Sequence, residues 1–119
     1  MNATMEQTDQ EKSNKLPETS EQFLKRLTES PVEVQVEEMA ALPMTITEIA
    51  MFTGQDVEEL RAIINTQPKH FLTMAYNRGK MRTTIMTRFD NLQYALHGRP
   101  EAMRDVKEYL SDQTIDENA

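Results

Sequence analysis

The feature that most restricts this chain is a unit of twenty residues, Ile46 to Asn65, in which two helices follow each other with room only for a turn between them. Thr45-Ile-Thr-Glu48 is a capping box, in which the threonine hydroxyl and the glutamate carboxylate each satisfy a backbone N–H that a first helical turn leaves without a partner. Gly54 tolerates the left-handed conformation that ends a helix, and Asp56-Val-Glu-Glu59 at once offers the next N-terminal cap. Ala50 is small enough for a second helix to cross close by, and Ile49, Leu60 and Ile63 supply the apolar surface that such a crossing buries. The pattern is that of a helix-turn-helix, although two helices that merely pack together share its glycine and its stripes.

The flanking segments also read as helices. Val57, Leu60, Ile63 and Ile64 form one apolar stripe that ends near Asn65, ahead of Thr66-Gln67-Pro68. A longer helix is predicted from about Lys69, with Met81, Ile85, Phe89, Leu92 and Leu96 as the seam of a helix packed on another helix and Gly79 as a candidate interruption. Gly98-Arg99-Pro100 closes that helix and opens the next, whose buried stripe is Ala102, Met103, Val106, Tyr109 and Leu110. His97, beside Gly98, suits a helix C-terminus. Upstream, Val32, Val34 and Val36 alternate with polar residues as a strand would. No second strand exists to pair with them, and Pro31 suits a first helical position, so the helix is favoured there. Phe23, Leu24 and Leu27 mark a further one or two turns within residues 20–29.

The expected fold is therefore all-α: a short helix-turn-helix unit, a long helix and a C-terminal helical hairpin. Residues 1–30 form an acidic N-terminal arm, disordered over residues 1–20 because their polar composition cannot offset the entropy of ordering a backbone. Residues 31–112 form the helical domain, and residues 113–119 a flexible tail, with SDQTIDENA reading as polar and frayed.

At 119 residues, with 38% hydrophobic and 28% charged, the chain supports one modest core. The absence of cysteine excludes a disulfide framework, a zinc–thiolate centre and a thiol nucleophile. Neither a secretory leader nor an apolar run long enough to span a membrane is evident, so a soluble, cytoplasmic protein is expected. Three glycines leave no material for a phosphate-binding loop. His70 and His97 lack the spacing of metal ligands, and no nucleophile–base arrangement stands out, so neither a metal or cofactor nor catalysis is expected. Nine methionines suggest a plastic surface, but Met74, Met81, Met86 and Met103 fall near the stripes and read as core filling.

The net charge of −7 argues against an anionic partner only until it is mapped along the chain. Residues 1–40 carry nine acids and four bases and residues 113–119 two more acids, whereas residues 41–112 are neutral with nine of each. Within residues 60–89, Arg61, Lys69, Arg78, Lys80, Arg82 and Arg88 occur without one acid, a basic run of the kind that contacts nucleic acid. On a recognition helix, Asp56, Val57, Glu58, Arg61, Ala62 and Asn65 would lie outermost, with Arg61 and Asn65 as base or phosphate donors and the carboxylates opposed to phosphate. Arg78, Lys80 and Arg82 follow Tyr76 in AYNRGKMR. They suit phosphate contacts or a solvated, salt-bridged face equally well, and Arg78 is placed to pair with a carboxylate of a neighbouring helix or subunit.

Taken together, the helix-turn-helix T-EIAMFTG, then QPKHFLTMAYNRGK, then YALHGRPEAMRDVKEYL with Ala95, Gly98, Pro100 and Ala102 at its turn, resemble the small subunit of phage terminases over a little more than half the chain. The resemblance implies a non-enzymatic packaging factor of the host cytoplasm that recognises viral double-stranded DNA, forms a homo-oligomeric ring and delivers the genome to a large terminase subunit holding the ATPase and nuclease. It implies that Arg61, Asn65, Lys69, Arg78, Lys80 and Arg82 are the DNA-binding candidates, and that Phe89, Leu92, Leu96, Val106 and Leu110 build the core or the subunit interface. The acidic first turn of the presumed recognition helix departs from that expectation. Two other readings remain open: a helical adaptor that binds protein and not DNA, and a helix-turn-helix transcription regulator.

Overall fold

The structure, a computed structural model, describes residues 16–119. The described residues form six helices and no strand: α1 (Ser20–Glu29), α2 (Val32–Ala41), α3 (Ile46–Thr53), α4 (Val57–Thr66), α5 (Phe71–Leu96) and α6 (Pro100–Glu117). The arm expected to be disordered falls largely on residues 1–15, outside the described residues. The chain divides into two compact units, Met1–Ser30 and Pro31–Ala119.

In the first unit, α1 is longer than the one or two turns its apolar residues suggest, because its capping box lies upstream of them. The Gln22 N–H donates to the Thr19 hydroxyl at 3.1 Å and the Thr19 N–H to the Gln22 side chain at 2.9 Å. Arg26 forks onto Glu18 at 2.9 and 3.0 Å, and that hydrogen bond holds the Glu18 carboxyl below the usual carboxylate range.

The second unit is built on α5. α2, α4 and α6 pack against it, and α3 bridges α2 and α4. The valine-rich segment is helical, as its lack of a partner strand requires: Val36, Met39 and Ala40 of α2 are buried. With Ile49 and Ala50 of α3, Leu60 of α4, and Leu72 and Ala75 of α5, they make up the apolar core of this unit. Burying a side chain the size of Ile49 or Leu60 stabilises the fold by about 1.5–3 kcal/mol. The Thr73 hydroxyl, also buried, donates to the Ile63 carbonyl at 3.1 Å and ties α5 to the end of α4.

Gly79 does not interrupt α5. A Cβ there would lie 2.1 Å from the Glu37 carbonyl oxygen and 2.8 Å from the Ala40 Cβ, so glycine is what lets α2 cross α5 at backbone distance. A glycine costs a helix interior about 1 kcal/mol, and here the contact outweighs that cost. His70 caps α5 by accepting from the Leu72 N–H at 3.1 Å, which starts the helix two residues later than Lys69.

Beyond Thr83, whose hydroxyl bonds to the Ala41 carbonyl of α2, α5 leaves the core and packs on α6. Gly98, with φ 81°, makes the turn, Asn91 donates to the Tyr109 hydroxyl at 3.0 Å, and Arg88 and Arg99 stack 4.7 Å over Tyr109 and Tyr94. The α6 stripe is only partly covered: Ala102 is buried, Val106 and Tyr109 are half-buried, and Met103 and Leu110 are exposed. The seam expected of Met81, Ile85, Phe89, Leu92 and Leu96 is not buried among the described residues; Phe89 is 60% and Leu96 72% exposed. Met74, Met81, Met86 and Met103 are likewise exposed and fill no core. The tail expected to fray over residues 113–119 is instead helical to Glu117, where Thr114 donates to the Leu110 carbonyl at 3.0 Å and Asn118 to the Thr114 carbonyl at 2.8 Å.

Candidate nucleic-acid interface

The helix-turn-helix forms with the local chemistry its sequence dictates. Thr45 and Glu48 make both bonds of the capping box: the Glu48 N–H donates to the Thr45 hydroxyl at 3.1 Å and the Thr45 N–H to the Glu48 carboxylate at 2.9 Å. That N–H, and then the Thr45 hydroxyl at 3.0 Å, hold the Glu48 carboxyl below the usual range. Gly54 ends α3 in the left-handed conformation, φ 74°, and the Asp56 carboxylate accepts from the Glu59 N–H at 2.9 Å to start α4. Ala50 and Ile49 are buried at the crossing, and Ile63 is half-buried at its edge.

The structure separates the basic run into two groups. In the first, Arg61 reaches back from α4 to the first turn of α3, donating to the Thr47 hydroxyl at 3.1 Å and to Glu58 at 2.7 Å. The same helix start borders a shallow groove of about 370 Å³ lined by Met44, Thr45, Tyr76 and Lys80. The Lys80 ammonium lies 5.4 Å from the Tyr76 ring centre and forms no ion pair among the described residues. Two basic side chains from different helices thus border the first turn of α3, where the ionised Glu48 of the capping box and the Glu58 carboxylate on Arg61 offset part of their charge and of the positive partial charge of the backbone N–H groups. Asn65 is exposed one turn beyond Arg61 on the same face of α4. Lys69 is exposed in the turn before α5. Glu58, exposed on the face that carries Arg61 and Asn65, neutralises part of that face.

In the second group, Arg78 and Arg82 turn away from solvent anions toward α2. Arg78 donates to Glu37 at 2.6 Å and to Glu33 at 3.0 Å, and Arg82 reaches Glu37 and Glu38, both at 3.4 Å. Its hydrogen bonds to Glu37 and then to Glu33 raise the Arg78 pKa above its ordinary value. Of the two roles open to these side chains in the sequence, the salt-bridged face is the one this structure contains.

Thr47 is the contributor that sequence reasoning missed. Its only signal is its place inside the capping box, which does not reveal that a side chain fourteen residues away bonds to it. Among the described residues no cluster of His, Cys, Asp or Glu is arranged to hold a metal ion, and no helix is long and apolar enough to cross a membrane. The residues expected at the core or subunit interface gather on the hairpin, where Leu92, Val106 and Leu110 line a groove of about 500 Å³ bordered by Arg88, Asp112 and Asp116. The chain matches no protein-family model, no curated protein and no solved structure.

Proposed function

We propose that this chain is a non-enzymatic DNA-binding subunit of the small-terminase kind. It engages viral double-stranded DNA through α3 and α4, associates with further copies of itself through the hairpin, and passes the DNA to a large subunit with motor and nuclease activity in the host cytoplasm. The observation that carries the DNA reading is the pair of cations beside the first turn of α3: Arg61, bonded to Thr47, and Lys80, which has no ion pair among the described residues. A phosphate at a helix start gains from both the dipole and the flanking charge. Self-association is supported by the stripe of Met81, Ile85, Phe89, Leu92 and Leu96, since side chains of this size at helical spacing are seldom left in water without a partner surface.

Binding of the full chain to a short duplex across a salt series tests the reading. Affinity should fall steeply as salt rises, and Arg61→Ala and Lys80→Ala should each flatten the dependence by about one charge. No binding at low salt would remove DNA from the function. A mass measurement separates packaging from transcription control, because a closed ring larger than a dimer fits the former and a two-fold dimer the latter.

One observation favours the second reading, a protein-binding adaptor: the helix that would read the groove opens with Asp56, Glu58 and Glu59, while Arg78 and Arg82 are occupied within the domain. In that case the apolar hairpin is the working surface, and the salt series gives no binding.

A further inference from the structure

The ion-pair network between α2 and α5 has the composition of a protein–phosphate contact with carboxylates in the place of phosphate. A guanidinium presents the same fork of donors to either anion. Arg78 and Arg82 lie one helical turn apart and, together with Lys80, make the densest positive stretch of the chain. In this structure three α2 carboxylates take up the two guanidiniums, leaving Lys80 as the cation of the three without an ion pair among the described residues.

We propose that Glu33, Glu37 and Glu38 act as an intramolecular competitor for the anionic ligand, so that Arg78 and Arg82 contact a polyanion only after these pairs open. The inference rests on the reading of this domain as a polyanion binder and says how that binding is restrained.

The helices do not depend on the pairs to stay together. Gly79 closes the crossing against Glu37 and Ala40, Val36 and Met39 are buried in the core, and the Thr83 hydroxyl bonds to the Ala41 carbonyl. Both arginine side chains are about half exposed, 48% and 49%, and so is Glu33 at 47%, while Glu37 and Glu38 keep 25% and 20%; the guanidiniums therefore leave into water, and the pairs are partly screened rather than buried. A ligand with one isolated charge gains little by displacing three carboxylates. A densely charged chain, whose bound counterions are released as cations replace them, gains enough. The network thus discriminates by charge density and leaves Lys80 as the first contact.

The test compares the full chain with Glu33→Gln/Glu37→Gln/Glu38→Gln and with a control of equal net charge, Glu101→Gln/Glu108→Gln/Glu117→Gln. Each is titrated with a short duplex and with inorganic polyphosphate over a salt series. The network variant should bind polyphosphate about tenfold tighter than the control variant does, because no pairs have to open first, and adding Arg78→Ala/Arg82→Ala should abolish the gain. A gain no larger than the control's, or one that survives loss of both arginines, overturns the proposal. A gain on polyphosphate without any duplex binding upholds the competitor and defeats the DNA reading, so the two are separable. Should the triple variant not fold, the unaltered protein decides: the Nε–H resonances of Arg78 and Arg82 should shift as polyphosphate binds, and resonances that stay fixed at saturation overturn it.

Discussion

The two ends of α5 have similar apolar content and opposite fates. From Leu72 to Gly79 the helix is enclosed by α2 and α4, with Leu72, Thr73, Ala75 and Gly79 buried; from Met81 to Leu96 it carries larger apolar side chains and buries none of them. The difference lies in what faces each end. α2 approaches the first half at backbone distance because Gly79 and Ala40 are small, and α6 covers only one side of the second half. Apolar periodicity states that a face needs a partner, and the size of the residues at the crossing decides whether the same chain can supply it.

The sharpest way to break this comparison is to fill the crossing. Helix propensity alone gives Gly79→Ala a gain of about 1 kcal/mol. The Cβ would stand 2.1 Å from a backbone oxygen, so packing gives a loss. We expect packing to win, with the variant destabilised by about 2–3 kcal/mol in urea unfolding. A stabilised variant would mean that α2 does not cross where described. Within the core that this crossing helps to close, Ile49→Ala of α3 should cost about 2–5 kcal/mol, because a fully buried side chain leaves a cavity.

The corresponding substitutions beyond Gly79 should behave differently. Phe89→Ala and Leu96→Ala remove side chains already 60% and 72% exposed in the single chain, so monomer stability should change by less than about 0.5 kcal/mol. Their effect should appear in mass: under the proposed self-association, Phe89→Glu or Leu96→Glu places a charge in the contact and shifts the protein toward monomer in sedimentation or light scattering. An unaltered protein that is already monomeric, or an oligomer indifferent to both charges, would leave this face without the assigned role.

Local signals were legible in the sequence and distant ones were not. The Thr45–Glu48 capping box, the Gly54 turn, the Asp56 cap and the small Ala50 act within a few residues, and the helix-turn-helix formed from them as read. Gly79 was legible only as a local defect, because its partner, the Glu37 backbone, is forty-two positions away. Arg78 carried the hint that it faces a neighbouring carboxylate, but nothing near it in sequence names Glu33 and Glu37. The heptad-like spacing of Ile85 to Leu96 announced a buried seam and could not say that the described residues leave it exposed.

Smaller effects sharpen the split of the basic run. Lys80→Ala should weaken duplex binding at low salt by more than Arg78→Ala does, because the Arg78 guanidinium must leave Glu33 and Glu37 before it reaches the ligand and Lys80 leaves no ion pair among the described residues. Equal losses would mean that the pairs cost nothing to open and dissolve the distinction between the two groups.

The least effect expected is that of acid on the start of α3. The Thr45 N–H and hydroxyl favour the ionised form of Glu48, so its carboxyl titrates below the usual range in the folded chain. A group with a lowered folded pKa contributes stability above its unfolded pKa and loses it as pH falls through the folded one. Glu48→Gln keeps a hydrogen-bond acceptor for the Thr45 N–H and discards the charge. The melting temperatures of unaltered protein and variant should therefore differ most near neutral pH and converge as pH falls below the usual carboxylate range. The hairpin, which has no capping box, should be indifferent to this substitution: mass distributions of protein and variant at neutral pH should coincide. A gap in melting temperature that persists unchanged into acid would mean that the charge plays no part, and that the box holds α3 through neutral hydrogen bonds alone.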